Sequence, residues 1–540
     1  MPVNNNLIQP TILLSDGDQR FEIWRKRLGL ILTPLVFVMT YLLCSGLGPE
    51  GRKMAAILAT VAVMWISEII PLPVSALFGA VLCVVLGITD AKTVLGYFAD
   101  PIVFVFIGGF IIARAMMIHG LDRRIALGFL SIPWIGSSQV RIIAGLGLVT
   151  AFISMWVSNT AVTTMMFPIA LGILGALHKV RVAMGKASGS INVQNWPFAT
   201  GMMLMVAYSA SIGGIGTPVG TPPNLIGIGL IRSATGTEIS FFRWMSLTLP
   251  LFLVMAVLLF LLLYLLHQAG RENDTEARNK KASSYPDRAA EDDTSIGSQL
   301  LDYIQNERKA MGPWTRGQIN TLIGFCVAVM LWIIPGILQL PWFEFPLLAK
   351  WMDTHVPESI VAIIAAILLF ALPVNLSKRE FTLNWPEAVK IDWGTILLFG
   401  GGLALGSLMF KTGVAGEMGY GLTKLLGVNT LWLLTGMSIA MAVLMSEVTS
   451  NIASANMVIP VVIAIAQAAG VSPLPPALGA CLGSSFGFML PVSTPPNAIV
   501  YSSGLIPLPK MMKAGILFDI IGFFIIWAGL YILCPLLGLI

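Results

Sequence analysis

Ser154, Ser158, Asn159 and Thr160 stand together in the stretch Ser154-Met-Trp-Val-Ser158-Asn159-Thr160, inside an apolar tract running from about Val140 to Leu177. A near-copy lies far down the chain as Ser446-Glu-Val-Thr449-Ser450-Asn451-Ile452. Pro168 and Pro460 follow the two asparagines at the same distance, so the copies register without gaps. Hydroxyl and amide side chains in hydrocarbon-length sequence are costly unless they face a protein-lined cavity or hold something. Their oxygens suit a small hard cation. The free N–H groups at the start of a helix suit an anion, by roughly 0.3–1 kcal/mol per terminus and up to about 2 when partly buried. One site of this type can therefore hold an anion and a cation together.

A second matched pair follows each copy. Gly220-Thr221-Pro-Pro-Asn224 and Ser493-Thr494-Pro-Pro-Asn497 interrupt apolar stretches with a density of Gly and Pro that regular helix cannot accommodate. Phe106-Ile-Gly-Gly109 and Phe399-Gly-Gly-Gly402 form a weaker third pair. No Arg or Lys lies in the tips or in the Thr-Pro-Pro-Asn motifs. A bound anion must then be balanced by helix ends and co-bound cations, which points to cation-coupled transport. A single Ser-Asn-Thr in a membrane helix is ordinarily a packing feature. Two copies in matching halves, each followed by its own Thr-Pro-Pro-Asn, are not.

These motifs need elements that place them at mid-bilayer. The tract around Asn159 would run about 57 Å as one helix at 1.5 Å per residue, against a hydrocarbon core of roughly 30 Å. It must turn back, and each copy is expected as a helical hairpin with a polar tip, over 139–178 and 428–469. Interrupted helices are expected at 198–231 and 476–505. With 540 residues, 56% hydrophobic, 11% charged and a mean hydropathy of +0.84, the chain is an all-α polytopic membrane protein. The net charge of +5 gives no reason to expect nucleic acid. Five cysteines without CxxC spacing read as small core residues, and the four histidines show no zinc pairing.

The spacing predicts a cytoplasmic N-terminal segment (1–27), a retained first span (28–48), and a first repeat (49–267) broken at Pro71-Leu-Pro73. A cytoplasmic linker (268–317), partly disordered and without a packed core, leads to a second repeat (318–540). A helix lying on the membrane surface is expected from Leu121. Each repeat crosses the membrane five times, an odd number, so the two repeats are inverted. Placing most Lys and Arg inside gives a cytoplasmic N-terminus and an external C-terminus. Inverted repeats with matched broken helices are the signature of a secondary transporter with its site near the midplane.

At Trp65-Ile-Ser-Glu68, Ser158-Asn159-Thr160, Ser209-Ala-Ser-Ile-Gly-Gly214, Gly220-Thr-Pro-Pro-Asn224 and Pro495-Pro-Asn-Ala-Ile-Val500, the chain resembles the divalent-anion/sodium symporter family. The resemblance runs from about residue 50 to the end. It implies a homodimer of about eleven transmembrane helices and two re-entrant hairpins per chain, working as an elevator. It implies one sodium among Ser154, Ser158, Asn159 and Gly220, and a second among Ser446, Thr449, Asn451 and Ser493. The substrate would touch Asn159, Thr160, Thr221, Ser450, Asn451 and Thr494. The expected function is sodium-coupled symport of C4-dicarboxylates such as succinate, malate and fumarate across the plasma membrane (the inner membrane in a bacterium). No organic cofactor is expected. A sodium-independent exchanger, or a sulfate or citrate carrier of the same fold, is the alternative. An anion channel lacks its ring of basic residues here, and an enzyme lacks a visible nucleophile–base pair.

Three features depart from the family's pattern. Ile452 stands where a full Ser-Asn-Thr has threonine, the linker is long, and Asp519 lies inside the last span. Glu447 is expected to orient the second tip, and Asp519 to share its helix end with Lys513. The loss of one hydroxyl at 452 makes the two tips unequal. A hydrogen bond to a charged group contributes about 1.5–3 kcal/mol, roughly one to two decades of affinity. Thr160→Val should therefore weaken dicarboxylate binding by about that much, and Ile452→Thr should tighten it or favour malate over succinate. Binding measured at fixed sodium checks this, and equal, negligible effects would remove both third positions from the ligand.

Overall fold

The computed structural model describes residues 16–136, 138–183, 196–267, 287–340, 342, 345–427 and 430–540. Apart from a two-stranded ribbon (Pro373–Asn375 with Glu380–Phe381), its regular elements are helices. By length and composition nine described helices can cross a membrane, or ten if the pair Pro346–His355 and Glu358–Ala371, bent by 67°, is one span. Three of the nine are hairpin limbs. The N-terminal residues 1–15 of the expected cytoplasmic segment lie outside the described residues, as does Lys186 of the expected basic linker.

Proline sets the early boundaries. Pro49 starts the helix Pro49–Ser67, and Pro71 caps the next one, Leu72–Val85. That second helix has 14 residues, about 21 Å at 1.5 Å each. It is too short to cross by itself, which the apolar run to residue 90 concealed. Pro101–His119 begins on Asp100, whose carboxylate accepts from the Ile102 N–H at 2.9 Å. Leu121–Leu130 follows as a separate short helix, with Leu121, Ala126, Leu127 and Leu130 buried.

Four elements of each half build the centre. The first hairpin is Gln139–Ser154 and Asn159–Ala183; the first interrupted helix is Pro197–Gly214 and Pro222–Thr235. Their counterparts are Leu431–Val448 with Asn451–Ala468, and Leu474–Gly483 with Pro495–Tyr501. The packing exchanges partners across the halves. Pro222–Thr235 lies on the second hairpin's Asn451–Ala468, and Pro495–Tyr501 lies on the first hairpin's Asn159–Ala183. Buried hydrogen bonds tie the exchange: Thr200 Oγ1 donates to Leu505 O at 2.8 Å, and Tyr208 Oη to Phe488 O at 2.7 Å. The Cys481 thiol meets Pro223 O at 3.0 Å.

Part of the linker packs on the first repeat. Residues 268–286 lie outside the described residues, but Asp287–Ala310 is a helix packed on Leu121–Leu130 and on Asn159–Ala183. Leu300 and Ile304 are buried, Arg123 pairs with Glu307 at 2.9 Å, and Arg308 donates to Ser131 Oγ at 2.8 Å. A Cβ on Gly172 would fall 2.2 Å from the Tyr303 hydroxyl, so the helix seats where the hairpin limb has no side chain. Few apolar residues among many charges hid this face from a composition argument. Ile304→Ala should cost about 2–5 kcal/mol, and deleting 287–310 should lower the thermal midpoint of the purified protein. An unchanged midpoint in both would show that the helix carries no stability.

Candidate functional site

Each hairpin turns within two to four residues, and the turn is closed by one short contact. Ser154 Oγ donates to Asn159 Oδ1 at 2.8 Å across the first tip, and Ser446 Oγ to Asn451 Oδ1 at 2.7 Å across the second. The serine ends or nearly ends the incoming limb and the asparagine starts the outgoing one. Ser158 and Ser450 cap the outgoing helices through Ala161 N at 3.4 Å and Ala453 N at 3.2 Å. Ser154 and Ser446 are fully buried, the two asparagines half-buried, and Thr160 is exposed.

The breaks of the interrupted helices press against these tips where glycine permits. A Cβ on Gly214 would lie 2.5 Å from Asn159 Oδ1. One on Gly220 would lie 2.5 Å from Gly214 O and 2.9 Å from Met155 O. Gly487 faces Ser446 Oγ and the Ser493 Cβ in the same way, at 3.3 Å each. Around the first tip the Ser154 hydroxyl, the Asn159 amide oxygen and the carbonyls of Met155 and Gly214 therefore crowd together. Around the second stand the Ser446 hydroxyl, the Asn451 amide oxygen and the Ser484 carbonyl, which accepts from Ser446 Oγ at 2.9 Å. Both sets offer only neutral oxygens in close reach, the donor chemistry of a small hard cation.

The breaks themselves are held by a matched amide. Asn224 Nδ2 donates to Gly214 O at 2.9 Å and Thr217 O at 2.7 Å. Asn497 Nδ2 donates to Gly487 O at 2.9 Å and Leu490 O at 3.0 Å. One side chain thus satisfies two carbonyls that the broken helix leaves free. The motif Thr-Pro-Pro-Asn contained this signal, but the sequence argument used only its prolines. Thr221 and Thr494 are buried at the N-termini of the second segments. Thr494 Oγ1 accepts from Asn497 N at 3.4 Å. Thr449 returns its hydroxyl to Met445 O at 2.7 Å, so its donor is spent on its own limb.

Ser493, Glu447 and Asp519 form a group that the first tip lacks. Ser493 Oγ reaches Glu447 O at 3.0 Å and Glu447 Oε2 at 2.7 Å, while Met489 N donates to Glu447 Oε1 at 2.8 Å. Asp519 meets Glu447, not Lys513, which corrects the expectation that it shares its helix end with that lysine. A cavity of about 540 Å³, lined in part by Trp65, Met409, Met418, Asn456 and Pro460, touches neither tip and is apolar.

The two asparagine pairs make different demands. Asn159→Ala and Asn451→Ala should abolish uptake while leaving a folded protein. Asn224→Ala and Asn497→Ala should leave buried carbonyls unpaired, costing about 1–3 kcal/mol each. Thermal midpoints read beside uptake separate the two roles; equal loss of stability in all four variants would erase the distinction.

The family model for the sodium:sulfate symporter transmembrane region matches residues 22–539. A sodium-dependent dicarboxylate transporter, SdcS, of Staphylococcus saprophyticus is 34% identical over 511 residues, covering 94% of this chain and 91% of that protein. SdcS of a bovine strain of Staphylococcus aureus is 33% identical over 513 residues, with the same coverage. Among solved structures, the Alcanivorax borkumensis YdaH transporter, described as having an unusual topology, aligns with a TM-score of 0.48 and 13% identity. That alignment covers 81% of this chain and 86% of the other.

Proposed function

The chain belongs to the sodium:sulfate symporter family, and from that premise we propose that it is a secondary active transporter carrying C4-dicarboxylates, such as succinate, malate and fumarate, together with sodium ions. The observation that carries this reading is the pair of matched oxygen cages at the two tips, each built without a basic residue. A dianion brought to such a site needs positive charge from elsewhere, and co-bound cations supply it. Close relatives named as sodium-dependent dicarboxylate transporters support the choice of both ligands.

In this reading one sodium lies among Ser154, Ser158, Asn159 and Gly220, and the other among Ser446, Thr449, Asn451 and Ser493. Sodium supplies charge and fixes the asparagine amides by taking their oxygens. Each Asn Nδ2 is then free to donate towards a carboxylate. Thr160, Thr221, Ser450 and Thr494 add hydroxyls, and the N–H ends of the second helical segments face the same side. Thermodynamic linkage makes coupling a property of this geometry: the dianion binds well only where the cations already are. The hairpins and interrupted helices move as an elevator against the remaining spans, in a homodimer of the plasma membrane with the N-terminus in the cytoplasm.

A second reading keeps the same site and changes the cargo or the coupling. The family's description includes sulfate, and Ile452 removes one hydroxyl from the dicarboxylate side. A panel of labelled succinate, malate, fumarate, citrate and sulfate, taken up by proteoliposomes with and without an inward sodium gradient, decides between them. The expected result is C4-dicarboxylate uptake that collapses when choline replaces sodium. Uptake that ignores the gradient, or a preference for sulfate, would replace this proposal with the alternative. Counterflow of labelled substrate separates a carrier from a channel.

A further inference from the structure

The two tips are matched in fold and unmatched in charge. In the register that pairs Ser154 with Ser446, Met155 occupies the place of Glu447. In the register that pairs Asn224 with Asn497, Gly216 occupies the place of Met489. The first half solves its contacts with neutral groups. Thr217 Oγ1 donates to Met155 O, Gly216 N to Gly213 O at 2.9 Å, and Thr248 of the following span donates to Gly216 O at 3.1 Å. In the second half the Met489 N–H leaves its own segment for a Glu447 carboxylate oxygen. Ser493 donates to the other oxygen, and the following span presents Asp519 to the same carboxyl.

Both acids are buried, and neither has a Lys, Arg or His partner among the described residues. One Asp519 oxygen has no hydrogen-bond partner at all. A buried acidic group without a counter-charge is costly, and the second tip stands beside this pair. Only the Ser493 hydroxyl separates Glu447 Oε2 from it, at 2.7 Å. Because Ser493 gives its hydrogen to Glu447, its lone pairs are left for a cation.

We infer that Glu447, with Asp519 behind it, is the positioning residue that makes the second tip the stronger and first-filled of two unequal sodium sites. It aims the Ser493 oxygen at the cation and adds a negative charge that the first tip does not have. The inference rests on the proposed sodium-coupled reading and goes beyond it by ranking the two sites. Substrate and sodium at the first tip then join a molecule whose second tip is already ordered.

The test needs no transport. Purified full-length protein, free of dicarboxylate, is titrated with sodium chloride against choline chloride at constant ionic strength while its thermal midpoint is read. A ligand that binds only the folded state raises the midpoint. Wild type should show a strong and a weak sodium component. Glu447→Gln, which keeps hydrogen-bonding oxygen and removes charge, should raise the half-effect concentration of the strong component by about tenfold or more, equivalent to about 1.4 kcal/mol. Glu447→Asp should shift it less. Asn451→Ala should delete the strong component, and Asn159→Ala should spare it. If Glu447→Gln does not fold, Asp519→Asn must move the strong component in the same direction by a few-fold (about 3, or ~0.65 kcal/mol).

An unshifted strong component in these variants overturns the ranking while leaving the sodium sites in place. Loss of the strong component in Asn159→Ala assigns it to the first tip and does the same. A wild-type protein that sodium does not stabilise overturns both this inference and the sodium-coupled reading on which it rests.

Discussion

Stopping a helix inside the apolar layer is the constraint on which this architecture depends. Every backbone N–H and C=O there must find a protein partner, because no lipid group can serve. The chain stops two interrupted helices and turns two hairpins within apolar sequence, holds the breaks with two asparagines and closes the tips with two more. Asn224 and Asn497 each hold two carbonyls of a break. Asn159 and Asn451 close the tips against serine. Amide side chains suit the task because one group presents both a donor and an acceptor. Proline and glycine do the rest: Pro222 and Pro495 need no N–H partner at their helix starts, and Gly214 and Gly220 admit neighbours closer than any Cβ would.

The same devices make the site. Carbonyls and amide oxygens gathered to satisfy a break are also the donors a small cation requires, so in the proposed reading structural necessity and ligand chemistry coincide at each tip. Symmetry then supplies the second copy, and sequence drift within the copies supplies difference. Met155 and Glu447 answer one packing problem in two ways, through a backbone carbonyl and through a carboxylate. Thr160 and Ile452 differ in the same manner on the outgoing limbs.

Much of this was legible in residue order because it rests on local chemistry. Pro71 and Pro73, the duplicated Ser-Asn tips and the duplicated Thr-Pro-Pro-Asn breaks announce their turns directly, and the structure places helices around them accordingly. What stayed hidden depends on partners distant in sequence. The linker helix Asp287–Ala310 reads as a charged stretch, since Leu300 and Ile304 acquire meaning only against the first hairpin. Asp519 pointed towards Lys513 along its own helix but meets Glu447 on another. Asn224 and Asn497 were visible in the motif, yet their bonds to the breaks needed coordinates.

The exchange of partners between the halves has a consequence for biosynthesis. Chains are made from the N-terminus, and domains generally fold as they emerge. Here the segment Pro222–Thr235 rests on Asn451–Ala468, and Cys481 meets Pro223 across 258 residues of sequence. A ribosome must therefore add more than half of the second half before the helix Pro222–Thr235 gains its neighbours there. The nascent first half thus carries an interface that only the second half completes. Separately expressed halves would reach the native arrangement only by finding each other inside the membrane.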